Sequence, residues 1–212
     1  MNKVFSKMFA WLFAGILLSF GVAMYVVKSY DLLYKIYTTG IYYVIILAEI
    51  ITVIVFSSRI HKMSFAGSIF AYLFYSFLTG LTLSAIFVIY DITSIIYAFG
   101  VTAGLILIFA LIGYFTKIDL TKISTYLFMG ILGLIICEII NIFVASETFN
   151  FVLLILGVII FIVYIAFDIQ RVKQNIYGLD EDKLPIVGAM ELYMDFINLF
   201  IRLLELFGKR RD

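Results

Sequence analysis

Five polar residues near the C-terminus, Glu191, Asp195, Asn198, Arg202 and Glu205, follow one another at intervals of 4, 3, 4 and 3. On an α-helix that spacing lines them along one stripe. The residues between them are apolar, as in "LYM", "FI" and "LF". Arg202 can pair with Glu205 at i,i+3 and bond Asn198 at i−4, which would neutralise the end of the stripe without any transport. Asp195 differs. Its helical neighbours include Glu191 and no cation one turn away. Its charge must be met from another helix, by a bound ion, or by a proton. A second carboxylate, Asp168, closes the uncharged run "FVLLILGVIIFIVYIAF" and precedes Arg171 and Lys173. Arg171 at i+3 is the simplest partner for it; Arg59, at the end of another apolar run, competes. Glu49 and Glu138 complete the set of acids inside apolar segments. In hydrocarbon an ionisable group costs at least about 2.5–3.5 kcal/mol, so each of these positions carries a functional hypothesis.

Lipid is indeed the solvent that the composition implies. The 212 residues are 65% hydrophobic and 14% charged, against about 45–50% and 25% in soluble domains. One cysteine, Cys137, excludes an intrachain disulfide, and a net charge of +1 gives no basic field for nucleic acid. A membrane-crossing helix needs about 17–25 apolar residues. Seven stretches qualify: about 8–27, 36–57, 65–89, 94–115, 123–144, 149–169 and 185–207. The separators are short and polar, such as "KSYDLLYK", "SSRIHKMS", "TKIDLTK" and "DEDKLP". The expected fold class is therefore all-α, a single polytopic helical domain over 1–212, because only helices or closed barrels satisfy their backbones in lipid. The polar stripe cannot face lipid, so the last helix is expected to be surrounded by the others or to line a cavity. Pro185 suits its first turn.

Lys3 and Lys7 before the first apolar run resemble the start of a signal peptide, but the run continues to Val27, which favours a retained helix. Loop cations set orientation. If all seven stretches cross, nine Lys and Arg fall on the side of the N-terminus and five on the other. That places the N-terminus in the cytoplasm. A re-entrant last helix would instead make the count 12 against two. Gly100 with Gly104, and Gly130 with Gly133 and Cys137, are small-residue stripes suited to helix packing, and His61 lies beside Arg59 in a polar loop.

Three stretches, "GYFTKIDLTKISTYLFMGILGLI" (113–135), "IAFDIQ" (165–170) and "AMELYMDFINLFIRLLELFG" (189–208), together resemble the transmembrane Bax-inhibitor-motif family in its bacterial branch. The resemblance implies two three-helix layers around a central C-terminal helix, and a pH-sensitive calcium leak channel in the bacterial plasma membrane. It implies that Asp168 and Asp195 share a proton as the pH sensor. By the same resemblance Arg59 latches to them in the closed state, and Glu49 lies along the ion path. With Glu191 and Asn198 on the same stripe, the expected path is polar; Asp168, Asp195 and Glu49 are the expected calcium ligands. Two departures weaken any animal-type role in cell death. The Gly-Pro of eukaryotic members is missing from "LTGLTLSAIFV", and the basic tail is reduced to "GKRRD".

Elementary electrostatics suits that role. Two close buried carboxylates cannot both ionise cheaply, so one retains a proton near neutral pH and the titration belongs to the pair. Calcium takes about 6–8 oxygens, so backbone and water must complete the set, which gives the weak binding that permeation requires. The chain is thus expected to be no enzyme and to hold no cofactor, with Ca2+ as cargo, H+ as regulator and the bilayer as surroundings. Three alternatives stand beside this one. One is a non-conducting modulator of another membrane protein or membrane protease. A proton-coupled transporter could use the same buried acids. An intramembrane aspartyl protease is the remotest, since "LYMD" lacks the Gly-x-Gly-Asp motif of that class.

Overall fold

The computed structural model describes residues 2–211. Among them are eight α-helices: α1 (Asn2–Lys28), α2 (Tyr30–Thr38), α3 (Ile41–Arg59), α4 (Phe65–Ile89), α5 (Ile92–Phe115), α6 (Ser124–Val144), α7 (Glu147–Gln174) and α8 (Leu184–Phe207), with one 3-10 turn, Leu120–Ile123. All but α2 are long and apolar enough to cross a membrane. The all-α, seven-span expectation holds.

Local chemistry sets the ends. Ser64 caps α4 by accepting the Gly67 N–H at 3.0 Å, and Ser146 caps α7 through Phe149 N at 3.2 Å. Asn175 closes α7 in the left-handed region, φ 45°. In the α5–α6 connection Asp119 accepts from the Thr121 hydroxyl at 2.6 Å, and this bond holds its carboxyl below the usual range.

Two boundaries differ from the sequence reading. Most of "KSYDLLYK" is helix, not loop: α2 precedes the second span, and Gly40 at φ 80° turns the chain into α3. The stretch is too short to cross and carries Asp31 in its first turn and Lys35 in its last, which suits the helix dipole. Its tyrosines fit a helix lying in the membrane interface. Tyr37 anchors it: the phenol accepts the Ala85 N–H at 2.9 Å and contacts Ser84 Oγ at 3.0 Å. Burial pushes that phenol above its ordinary pKa. Secondly, α7 continues to Gln174 rather than ending near 169. Arg171 and Lys173 favour a helix C-terminus. Both are also held: Lys173 bonds Tyr114 O, and Arg171 lies 4.5 Å from the centre of the Tyr177 ring.

The chain falls into two compact units. The first holds α1 to α4, Gly178–Tyr193 and the segment from Arg210; the second holds Thr93–Tyr177 and Met194–Lys209. In the first unit α1 and α4 run parallel: Tyr72 bonds Trp11 O at 2.8 Å and Ser19 bonds Ser76 O at 2.8 Å, and a Cβ on Gly80 would strike Ser19 and Val22. Contacts within this unit also fix the extent of α8. Before it, Asp182 pairs with Lys7 at 3.3 Å, near the start of α1; after it, Arg211 N bonds Ile89 O at 2.9 Å, at the end of α4. Its 24 residues span about 36 Å. It is long and apolar enough to cross a membrane. Of its apolar window 78% is buried, against 11% for α3, as a helix carrying a polar stripe demands.

In the second unit α5 and α7 touch backbone to backbone, since a Cβ on Gly113 would collide with Ala166. Gln170 then clamps the chain before α6: its Nε2 donates to Ile118 O at 2.8 Å, and its Oε1 accepts from Leu120 N at 2.7 Å. These contacts fix the turn of α7 that carries Asp168.

Candidate functional site: buried charges on the membrane-crossing helices

Asp168 and Asp195 are both 4% exposed, and both belong to the second unit. Tyr164 lies one turn before Asp168 on α7. Arg171 Nη1 meets Asp168 Oδ1 at 3.3 Å, so the simplest partner read from sequence is realised. The same guanidinium covers the Phe167 ring at 5.1 Å. Asp168 thus sits on a clamped turn, with a cation that is itself fixed by aromatic rings.

Arg59 is exposed and is the last residue of α3; its carbonyl accepts Lys62 N at 2.8 Å. Glu49, nearly three turns earlier, is half-buried within the first unit. Thr82 Oγ1 donates to it at 3.3 Å, and Thr79, one turn away on α4, also bonds it. Deeper in that unit Tyr193 meets Ser19, whose hydroxyl also bonds Gly15 O at 2.9 Å. Glu191 is half-buried. Asn198 is half-buried too and turns its amide back on its own helix, to Met194 O at 2.8 Å. Among the described residues no three His, Cys, Asp or Glu side chains gather where one metal ion could be held.

The stripe of α8 holds one arrangement that helical spacing does not reveal. Arg202, 8% exposed, reaches across to α6 and donates from Nη2 to Glu138 Oε1 at 2.6 Å. Spacing alone points to Glu205 at i,i+3 instead. Gly157 of α7 makes the longer reach possible, because any Cβ there would overlap the guanidinium. Phe161, one turn on, places its ring 5.4 Å from Arg202 Cζ. Arg202 Nε has no hydrogen-bond partner, and a buried unmet donor costs about 1–3 kcal/mol. Beside the pair lies a cavity of about 310 Å³, lined by Glu138, Asn150, Asn198, Arg202 and Glu205 among others. The sequence does hold a signal for the pair: Glu138 is an acid deep in α6 with no cation on its own helix, and such a group must find one elsewhere.

The sequence also matches known proteins. A model of the family described as "Inhibitor of apoptosis-promoting Bax1" matches residues 1–212. The chain belongs to the Bax inhibitor family. Among its bacterial relatives, "Inner membrane protein YbhL" of Escherichia coli strain K12 is 37% identical over 97% of this chain and 91% of its own length. A protein of Borreliella burgdorferi called uncharacterized is also 37% identical, over 100% of this chain and 94% of its own. An uncharacterized membrane protein of Streptococcus pyogenes serotype M1 is 34% identical over 99% and 93%. The family resemblance carried by "IAFDIQ" and "LYMDFINLF" is thereby borne out, and the chain is a multi-pass membrane protein of that family.

Proposed function

We propose that this Bax inhibitor family protein is a pH-sensitive calcium leak channel, with Asp168 and Asp195 as a proton-sharing sensor, Arg59 as the latch and Glu49 on the ion path. One observation carries the reading furthest. Two nearly inaccessible carboxylates lie on membrane-crossing helices, in one unit. Neither carboxylate bears charge cheaply there, and their ionisations oppose each other. Such a pair retains a proton over a pH range where isolated acids would not.

The sign follows. The ionised pair attracts a guanidinium, so withdrawing protons strengthens the Arg59 latch and closes the path. Adding protons weakens the latch and opens it. Glu49, with Thr79 and Thr82 as donors, supplies a fixed oxygen ligand, and Glu191 and Asn198 continue the polar stripe. Transport of this kind needs no enzymatic step. The cation count supports a cytoplasmic N-terminus, nine against five.

The test is calcium flux into liposomes containing the purified protein. Flux that rises as pH falls supports the channel. No flux from a well-folded protein at any pH defeats it and favours the modulator alternative.

A further inference from the structure

We propose that the apolar cavity between α2 and the end of α4 holds an acyl chain of an anionic phospholipid, whose phosphate is met by Arg210 and Arg211. The site needs nothing from the channel reading.

All of its residues lie in the first unit. The cavity measures about 340 Å³; Tyr30, Tyr34 and Tyr37 of α2 line one side, and Val88 and Ile89 of α4 line the other. The rings of Tyr30 and Tyr34 stack with their centres 6.2 Å apart and their planes 22° from parallel, so one wall is a continuous aromatic surface. The phenol of Tyr37 is committed to α4, at Thr82 O, Ser84 Oγ and Ala85 N. A cavity so lined gives water too few partners, and hydrocarbon suits it better. Tyr30, Tyr34, Val88 and Ile89 are all exposed, so the cavity is open at the surface of the unit.

Charge sits at its rim. Arg210 forms an antiparallel bridge with Tyr90, and Arg211 N donates to Ile89 O at 2.9 Å. Two adjacent cations are thereby pinned by backbone bonds to a wall residue of the cavity and to its chain neighbour. Both arginines are exposed. Lys28 ends α1, and Lys35 lies in the last turn of α2. Against these four cations, the same end of the unit carries two acids among the described residues, Asp31 and Asp91. An apolar groove with excess positive charge at its mouth matches an acyl chain that leads to a phosphate, and the guanidinium fork suits phosphate oxygens. A zwitterionic headgroup carries its own ammonium and gains less from such a rim. Tyrosines of an interfacial helix belong at the depth where headgroup meets chain.

Tryptophan quenching by brominated lipids tests the site. Trp11→Phe removes the one native tryptophan. In that background Tyr34→Trp places an indole in the aromatic wall, and Val44→Trp, at an exposed position on α3, reports the surrounding bilayer. Each is reconstituted in mixed vesicles of phosphatidylglycerol and phosphatidylcholine, with the bromine first on one lipid and then on the other. Phosphatidylglycerol should be enriched about fivefold or more at Tyr34→Trp and not at Val44→Trp. Adding Arg210→Gln with Arg211→Gln, both on exposed residues beyond α8, should bring the enrichment at Tyr34→Trp close to onefold. If Tyr34→Trp fails to fold, Ile89→Trp reads the opposite wall. Equal enrichment at both tryptophans means ordinary surrounding lipid and overturns the proposal. So does an enrichment that survives loss of both arginines, or an indole in the wall that no lipid quenches. Because no step needs flux, absence of calcium transport would remove the channel reading and leave this result standing.

Discussion

Replacing Gly157 with alanine tests whether the notch in α7 exists for Arg202. The added methyl would stand 2.5 Å from Arg202 Cζ in the present geometry, so the guanidinium must leave. Overpacking of a tight interior costs about 1–3 kcal/mol. Losing an interhelical polar contact in a membrane protein adds at most about 1.7 kcal/mol, because the unfolded helices find other partners in the bilayer. Glu138 is 39% exposed at its side chain and can rehydrate, which lowers the second contribution. The expected loss is about 2–3 kcal/mol, a shift of about 30- to 150-fold in the unfolding equilibrium. Reversible unfolding in mixed micelles, followed by circular dichroism, measures it. The decisive comparison is a double-mutant cycle: in an Arg202→Ala background the same Gly157→Ala should cost less than about 0.5 kcal/mol. An equal cost in both backgrounds would show that something other than the guanidinium needs the glycine, and would refute the notch as a seat for Arg202.

Asp195→Asn should abolish the pH dependence of calcium flux in liposomes, since the shared proton would have no second site; a wild-type pH profile would contradict it. Arg59→Ala should raise basal leak at high pH, where the latch is closed, while an arginine that only reaches the headgroups predicts wild-type flux from the folded variant. Glu49→Gln should lower flux yet leave the midpoint pH nearly fixed; a large shift would make Glu49 part of the sensor. Tyr37→Phe should destabilise the protein by about 1 kcal/mol in unfolding measurements, because the phenol's hydrogen bonds to α4, at Thr82 O, Ser84 Oγ and the Ala85 N–H, are lost.

Seven crossings are legible in the sequence because long apolar runs have one solution in lipid, and the polar stripe of α8 announces a buried helix because its spacing matches the helical period. The short helix α2 is not legible. Nine residues mixing Tyr, Leu, Lys and Asp lack a spanning run, and what holds them is packing of Leu33, Ile36 and Tyr37 against residues far along the chain. The end of α7 lies beyond the point that hydropathy marks, since hydropathy stops at Asp168 while the backbone is carried on by Arg171 and Lys173 against Tyr177 and Tyr114. Of the candidate site, Asp168 with Arg171 can be read from i,i+3 spacing. Arg202 with Glu138 cannot, because 64 residues separate them and nearer partners are on offer. Interhelical pairing depends on a notch such as Gly157, and nothing in one helix's own sequence marks which neighbour a glycine is shaped for.

The central claim is that Asp168 and Asp195 titrate as one unit that gates calcium. Calcium entry into proteoliposomes, measured over about pH 5.5 to 8 for wild type, Asp168→Asn, Asp195→Asn and the double variant, tests it most directly. Flux should rise as pH falls in the wild type, and each single variant should lose that dependence as completely as the double variant does. Two single variants that each keep half of the response, or a double variant that still responds to pH, would contradict it.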